Sequence, residues 1–187
     1  MKTTTIDLTK RVCRCERRCA LITGASQGLG RAFAHQYAAR GADLVLVALP
    51  RSGLSGVGSE VERRYGVRAV PYETDLTAPQ EVERLSRWIA AQQIPISALV
   101  NNAGVGYNLK FEDSTLRENE SCILLNNLAL IKITRLMLPE LRRHPGAHIL
   151  NVSSLAAFFP MPYMSVYAPT KTFILNFSLA LRQELKG

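Results

Sequence analysis

Five short apolar runs, at 20–23, 44–48, 69–72, 98–101 and 148–152, alternate along this chain with segments of helical periodicity at 29–40, 56–65, 79–93, 120–143 and 164–185. Strands separated by helices do not pair as hairpins. They pair in parallel through crossovers, and helices must then cover both faces of the sheet. Right-handed crossovers give a doubly wound α/β fold, in which ligands bind outside the carboxyl ends of the strands. The residues just after each apolar run are therefore where chemistry is expected.

Two of the helical segments read differently. In the fourth, Ile123, Leu124, Leu128, Ile131 and Leu138 build an apolar stripe, and Pro145-Gly146 ends the segment. In the second, Gly56 and Gly58 each cost up to about 1 kcal/mol in a helix interior. A loop is expected there, with the helix starting near Ser59.

At 187 residues, 47% hydrophobic and 20% charged, the chain reads as one globular domain and not as a disordered segment. No apolar stretch approaches the roughly 20 residues that span a bilayer, and the first ten residues lack the apolar core of a secretory signal. A cytoplasmic protein is the expectation. Residues 1–19 read as a basic arm ahead of a domain at 20–187. Lys2, Lys10, Arg11, Arg14, Arg17 and Arg18 face only Asp7 and Glu16, so residues 1–20 hold +4 of the net +8. No aromatic residue interleaves these charges, so a solvated arm is expected and not a nucleic-acid or membrane contact. Cys13, Cys15 and Cys19 lack the Cys-x2-Cys pairing of structural zinc sites, and no metal is expected.

The first run leads into Thr23-Gly24-Ala-Ser26-Gln-Gly28-Leu29-Gly30. Glycines between a strand and a helix permit a tight turn and bring a pyrophosphate close to the helix N-terminus. The second run ends without an acidic residue to hold a ribose 2′-hydroxyl, but with Arg51 nearby. That favours NADP over NAD, unless Arg51 is simply exposed. Asp75-Leu76 and Asn101-Asn102-Ala103-Gly104 close the third and fourth runs, and Ser153-Ser154 closes the fifth. Asn126, inside an apolar helix, needs a partner and is either structural or part of a site. Tyr167 and Lys171 stand four residues apart, on one face of the last helix, where an ammonium stabilises a phenolate.

Together, Thr23-Gly24-x3-Gly28-x-Gly30, Asn101-Asn102-Ala103-Gly104, Ser154 placed 13 residues before Tyr167, and Tyr167-x3-Lys171 resemble the short-chain dehydrogenase/reductase family from Ala20 onward. The resemblance implies a Rossmann-like sheet of five strands in the order 3-2-1-4-5. It also implies hydride transfer between NADP or NAD and a carbonyl or secondary alcohol. By that resemblance Tyr167 is the general acid/base, and Ser154 bonds the substrate oxygen. Lys171 supports Tyr167 and holds the nicotinamide ribose. The family's helix asparagine falls on Asn126, with Asn127 as the adjacent register. Gly24, Ser26, Gly28, Leu29 and Gly30 would line the pyrophosphate, Asp75 and Leu76 the adenine, and Asn102, Ala103 and Gly104 the adjacent ribose.

Family members continue past this helix with a sixth strand, a substrate-covering loop and helix, and a seventh strand. The chain is expected to be a truncated form, a natural short form, or one that completes its edge by assembly. Its fifth strand is expected to be an apolar edge. The apolar stretch Leu155-Ala-Ala-Phe-Phe-Pro-Met-Pro-Tyr163 favours an apolar or acyl-like substrate. The fourth helix and the Phe173, Phe177, Leu181 stripe resemble the family's dimer faces, so a homo-oligomer, dimer or tetramer, is expected. The rival expectation is a nucleotide-binding chain without turnover, acting as a partner or regulator.

Overall fold

A computed structural model describes residues 18–186. The basic arm, with Cys13 and Cys15, lies almost wholly outside the described residues. Five parallel strands form one sheet in the order β3-β2-β1-β4-β5: β1 (Cys19–Thr23), β2 (Asp43–Ala48), β3 (Ala69–Glu73), β4 (Ile96–Asn101) and β5 (His148–Asn151). In register, Leu21 lies beside Val45 and Leu99. The parallel sense is that expected from the alternation of strands and helices, and the order is the one the family resemblance implies.

The central strands are buried on both faces, and two clusters of side chains account for it. Ala20, Ile22, Leu44 and Leu46 pack on one face beneath α1 (Gly28–Ala38) and α2 (Leu54–Tyr65). Leu21, Val45, Val47 and Leu99 pack on the other beneath α3 (Glu81–Ala91) and α5 (Leu130–Leu141). Each such fully buried aliphatic side chain contributes about 1.5–3 kcal/mol. Cys19 belongs to this core, and burial pushes its thiol up to about 12.

Helix α2 begins at Leu54, five residues earlier than expected. Packing overrides propensity here: Leu54, Val57 and Val61 are buried against the sheet. Gly58 lies close under β3, where an added Cβ would sit 3.4 Å from the Ala69 carbonyl oxygen.

The fourth helical segment also begins earlier, at Leu116, where Thr115 and Glu118 form a reciprocal capping box. It runs as α4 (Leu116–Ile123), a π-helical turn (Leu124–Ala129) and then α5. The extra residue of the π turn rotates the helix beyond it. The core-facing residues are Cys122, Asn126, Ala129, Leu130, Ile133, Met137 and Leu141, whereas Ile123 and Leu128 of the expected stripe lie exposed. By length and composition the 26-residue run Leu116–Leu141 is long and apolar enough to cross a membrane, contrary to the sequence expectation. In this fold one face of it is spent on the sheet.

Helix α6 (Tyr167–Glu184) packs against the π turn and a short 3-10 turn at Leu155–Ala157. Among the described residues β5 pairs only with β4, and Leu150 on it is 37% exposed. A cleft of about 860 Å³ follows that edge between α5 and α6. It holds none of the chemical motifs, all of which gather at the carboxyl ends of the strands.

Candidate active site

The turn after β1 is built for close approach. Gly24 has φ +65, and a Cβ there would lie 2.8 Å from Asn102 Nδ2. A Cβ on Gly30 would lie 2.6 Å from the same nitrogen, so α1 can approach the sheet only without it. Asn102 staples the turn to the end of β4. Its Nδ2 donates to the Thr23 and Gly24 carbonyls at 2.9 and 3.2 Å. Thr23 Oγ1 accepts the Asn102 and Ala103 N–H groups at 3.0 Å each. The first motif and the second are thus one hydrogen-bonded unit.

The N-terminus of α1 carries no side-chain cap, and open space surrounds Gly28. The unspent N–H groups of Gly28, Leu29 and Gly30 fit a pyrophosphate. In the turn after β2, Ser52 Oγ is buried without a partner, which suits a ribose or phosphate oxygen. Arg51 beside it is exposed, with φ +61, and its N–H points to Glu73 Oε2 at 3.4 Å. Asp75 caps its own turn by accepting from Thr77 N and Oγ1 at 2.9 and 2.7 Å. Leu76 is buried beneath β2, so of this pair the exposed Asp75 and the Leu76 backbone can face a ligand. Ser26 is half-buried in the glycine turn.

A cleft of about 520 Å³ brings together Leu29, Asn102, Gly104, Ser154, Tyr167 and Lys171. Backbone Ala156 N–H donates to Ser154 Oγ at 3.2 Å, which leaves the hydroxyl proton free to face the cleft. Its neighbour Ser153 instead donates to the Lys171 carbonyl at 2.9 Å and ties β5 to α6. Lys171 is 5% exposed and donates to the Val152 carbonyl at 3.1 Å. Burial holds its ammonium below the usual lysine range. Its Nζ lies 5.7 Å from the centroid of the Tyr167 ring.

Asn126 sits in the π turn behind this cleft, fully buried. Its Nδ2 donates to the Val105 carbonyl and to Thr170 Oγ1, each at 2.9 Å, and its Oδ1 accepts the Val105 N–H at 2.9 Å. Asn127 makes one bond, to the Thr170 carbonyl. Asn126 is the one aimed at the site: a Cβ on Gly104 would lie 3.1 Å from Asn126 Oδ1 and 3.3 Å from Lys171 Nζ. A π turn at such a residue is a common mark of function. Sequence reading passed over Val105 and Gly106, which act through backbone atoms or packing, and Ser52 and Thr170, whose hydroxyls matter only through contacts with distant segments that no spacing rule encodes.

Residues 18–187 match the family model described as short chain dehydrogenase. The chain is 32% identical over 172 residues to a very-long-chain 3-oxoacyl-CoA reductase of Bos taurus, covering 90% of this chain and 54% of that protein. It is 34% identical over 170 residues to 17-beta-hydroxysteroid dehydrogenase type 3 of Homo sapiens, again covering 90% and 54%. A short-chain dehydrogenase from Sphingobium yanoikuyae, solved in complex with NADPH, superposes with TM-score 0.83 at 33% identity, covering 90% of this chain and 65% of that one. The chain thus spans about half the length of the relatives it matches in sequence.

Proposed function

The chain belongs to the short-chain dehydrogenase family, and from that premise we propose that it is an NADP-dependent oxidoreductase interconverting a carbonyl and a secondary alcohol. The observation that carries the reading is the cleft in which Ser154, Tyr167 and the buried ammonium of Lys171 meet. A bound nicotinamide cofactor supplies the hydride. Gly28, Leu29 and Gly30 would hold its pyrophosphate, and Ser52 and Arg51 its adenosine ribose and 2′-phosphate.

The chain's own groups then handle the oxygen and its proton. Ser154 donates to the substrate carbonyl oxygen and fixes its position. Tyr167 gives that oxygen a proton as the carbonyl carbon is reduced, and takes the proton back in alcohol oxidation. Lys171 stabilises the phenolate left on Tyr167. Asn126 holds the backbone of residue 105 and the start of α6 in register around them. Together these positioned groups supply orientation and charge, while the hydride chemistry is the cofactor's.

The substrate side of the reading is an apolar acyl or ketone chain. Between Ser154 and Tyr167, Leu155, Phe158, Phe159 and Tyr163 stand 54–81% exposed beside the cleft. The sequence relatives named for 3-oxoacyl-CoA and hydroxysteroid substrates support the same class. Ile123 and Leu128, with Phe173 on α6, are 40–50% exposed and support a homo-oligomer. A second reading, nucleotide binding without turnover, is favoured by the open apolar surface around Ser154.

Titration with NADPH, beside NADPH oxidation in the presence of a 3-oxoacyl thioester and a bulky ketone, separates the two readings. The oxidoreductase reading expects binding and turnover, with turnover lost in Tyr167→Phe and binding kept. Binding without turnover on any carbonyl leaves the second reading standing. Turnover that survives Tyr167→Phe overturns the mechanism.

A further inference from the structure

Residues 105–109 pass directly against Tyr167, and we propose that Gly106, two residues beyond the Asn-Asn-Ala-Gly motif, is a positioning residue for that phenol. A Cβ built on Gly106 would lie 2.8 Å from both Cγ and Cε2 of the Tyr167 ring. Carbon atoms in folded proteins do not approach so closely, so any side chain at 106 must move either the strap or the ring.

The strap has nowhere to go. At one end Val105 is gripped by Asn126 through both its N–H and its C=O, and the Cys122 thiol donates to the same carbonyl at 3.3 Å. At the other end the Leu109 N–H donates to the Tyr163 carbonyl at 3.0 Å. Tyr163 itself stands in the left-handed region, φ +66, a conformation that persists only where surrounding structure holds it.

The backbone that carries the ring is pinned as well. Tyr167 opens α6, and the first turn of that helix is pinned by Asn126 to Thr170 Oγ1 and by Asn127 to the Thr170 carbonyl. The ring therefore stands on a fixed helix turn and against a fixed strap. The bare Cα at 106 is what lets it stand where its hydroxyl faces the cleft that holds Ser154. Gly106 lines that same cleft but offers it only backbone, with no side-chain group for the chemistry. It acts through Tyr167, and its catalytic consequence rests on the reading of Tyr167 as the proton donor.

The test is Gly106→Ala, read in two ways. In turnover, kcat is expected to fall on the order of 100-fold, the cost of roughly 1 Å of misplacement in a reacting group. KM for the 3-oxoacyl thioester and the NADPH affinity are expected to hold, a split that general loss of structure does not produce. In melting, Gly106→Ala is expected to lower Tm in the wild-type background and to cost nothing further in Tyr167→Ala, where the ring is gone. Unchanged kcat, or equal Tm losses in the two backgrounds, overturns the proposal. A wild-type chain with no turnover on any carbonyl fails the oxidoreductase reading instead, and the melting cycle still decides whether Gly106 sets the ring.

Discussion

The Lys171 ammonium lies 5.7 Å from the centre of the Tyr167 ring while donating a 3.1 Å hydrogen bond to the Val152 carbonyl, at the end of β5. One cation therefore joins the last strand to the residue that opens the last helix. It does so almost out of contact with water, at 5% exposure. An ammonium in that position is little screened by solvent.

That burial has a consequence for stability. Desolvation holds the folded-state pKa of Lys171 below 10.5, so in the window between the two values the unfolded chain binds more protons than the folded one. Stability from this group therefore rises with pH across that window, and the cost of burying the charge is fully present below it. Lys171→Met is expected to remove this slope. Urea unfolding of wild type and variant from pH 7 to 10.5 measures it, and parallel curves across that range would sink the assignment.

Asn126 and Asn127 are neighbours in sequence with unequal burdens. Replacing Asn126 by Ala orphans the Val105 N–H and takes one bond each from the Val105 carbonyl, which keeps the Cys122 thiol, and the Thr170 hydroxyl, which keeps the Tyr167 carbonyl. One orphaned buried N–H costs about 1–3 kcal/mol and each lost bond about 1 kcal/mol, so a loss of about 3 kcal/mol or more is expected. Asn127→Ala removes one bond and is expected to cost about 1 kcal/mol. Denaturant midpoints of the two variants rank them, and a larger loss at Asn127 would reverse the register.

The legible parts of this chain were those governed by local rules. Alternating periodicity gave the parallel, doubly wound sheet, and the glycine turn, Ser154 and the Tyr167–Lys171 spacing located the cleft. What escaped depended on contacts between distant segments. The early start of α2 follows from burial of Leu54 and Val57 against the sheet, which outweighs two glycines. The π turn arises where Asn126 must reach both Val105 and Thr170, so the helix face expected from Ile123 and Leu128 is turned outward. Strict 3.6-residue periodicity carries no signal for either.

The two glycines of α2 make separate demands. Nothing lies within 4 Å of a Cβ at Gly56, on the exposed face of the helix, so Gly56→Ala is expected to stabilise the chain by about 0.5–1 kcal/mol. At Gly58 a Cβ meets the Ala69 carbonyl at 3.4 Å, and the helix gain is set against crowding of β3. Thermal melts of the two single variants check the difference. A Gly56→Ala variant that melts lower than wild type would mean that α2 does not begin at Leu54.

Cofactor preference turns on the end of β2. Arg51 is exposed there, and the Glu73 carboxylate accepts from its backbone N–H at 3.4 Å. A guanidinium on a 2′-phosphate makes a charged hydrogen bond of about 1.5–3 kcal/mol, about ten- to a hundredfold in affinity. Arg51→Ala is therefore expected to weaken NADPH binding by about tenfold or more and to leave NADH nearly unchanged. Glu73 works in the opposite sense, since a carboxylate beside the phosphate repels it. Glu73→Gln is expected to tighten NADPH relative to NADH, with the gain shrinking as salt is raised. Fluorescence titrations with both dinucleotides at two ionic strengths measure all four quantities. Equal weakening of NADH and NADPH in Arg51→Ala would place the 2′-phosphate elsewhere, with Ser52, whose hydroxyl is buried and unpartnered, as the remaining donor at that turn.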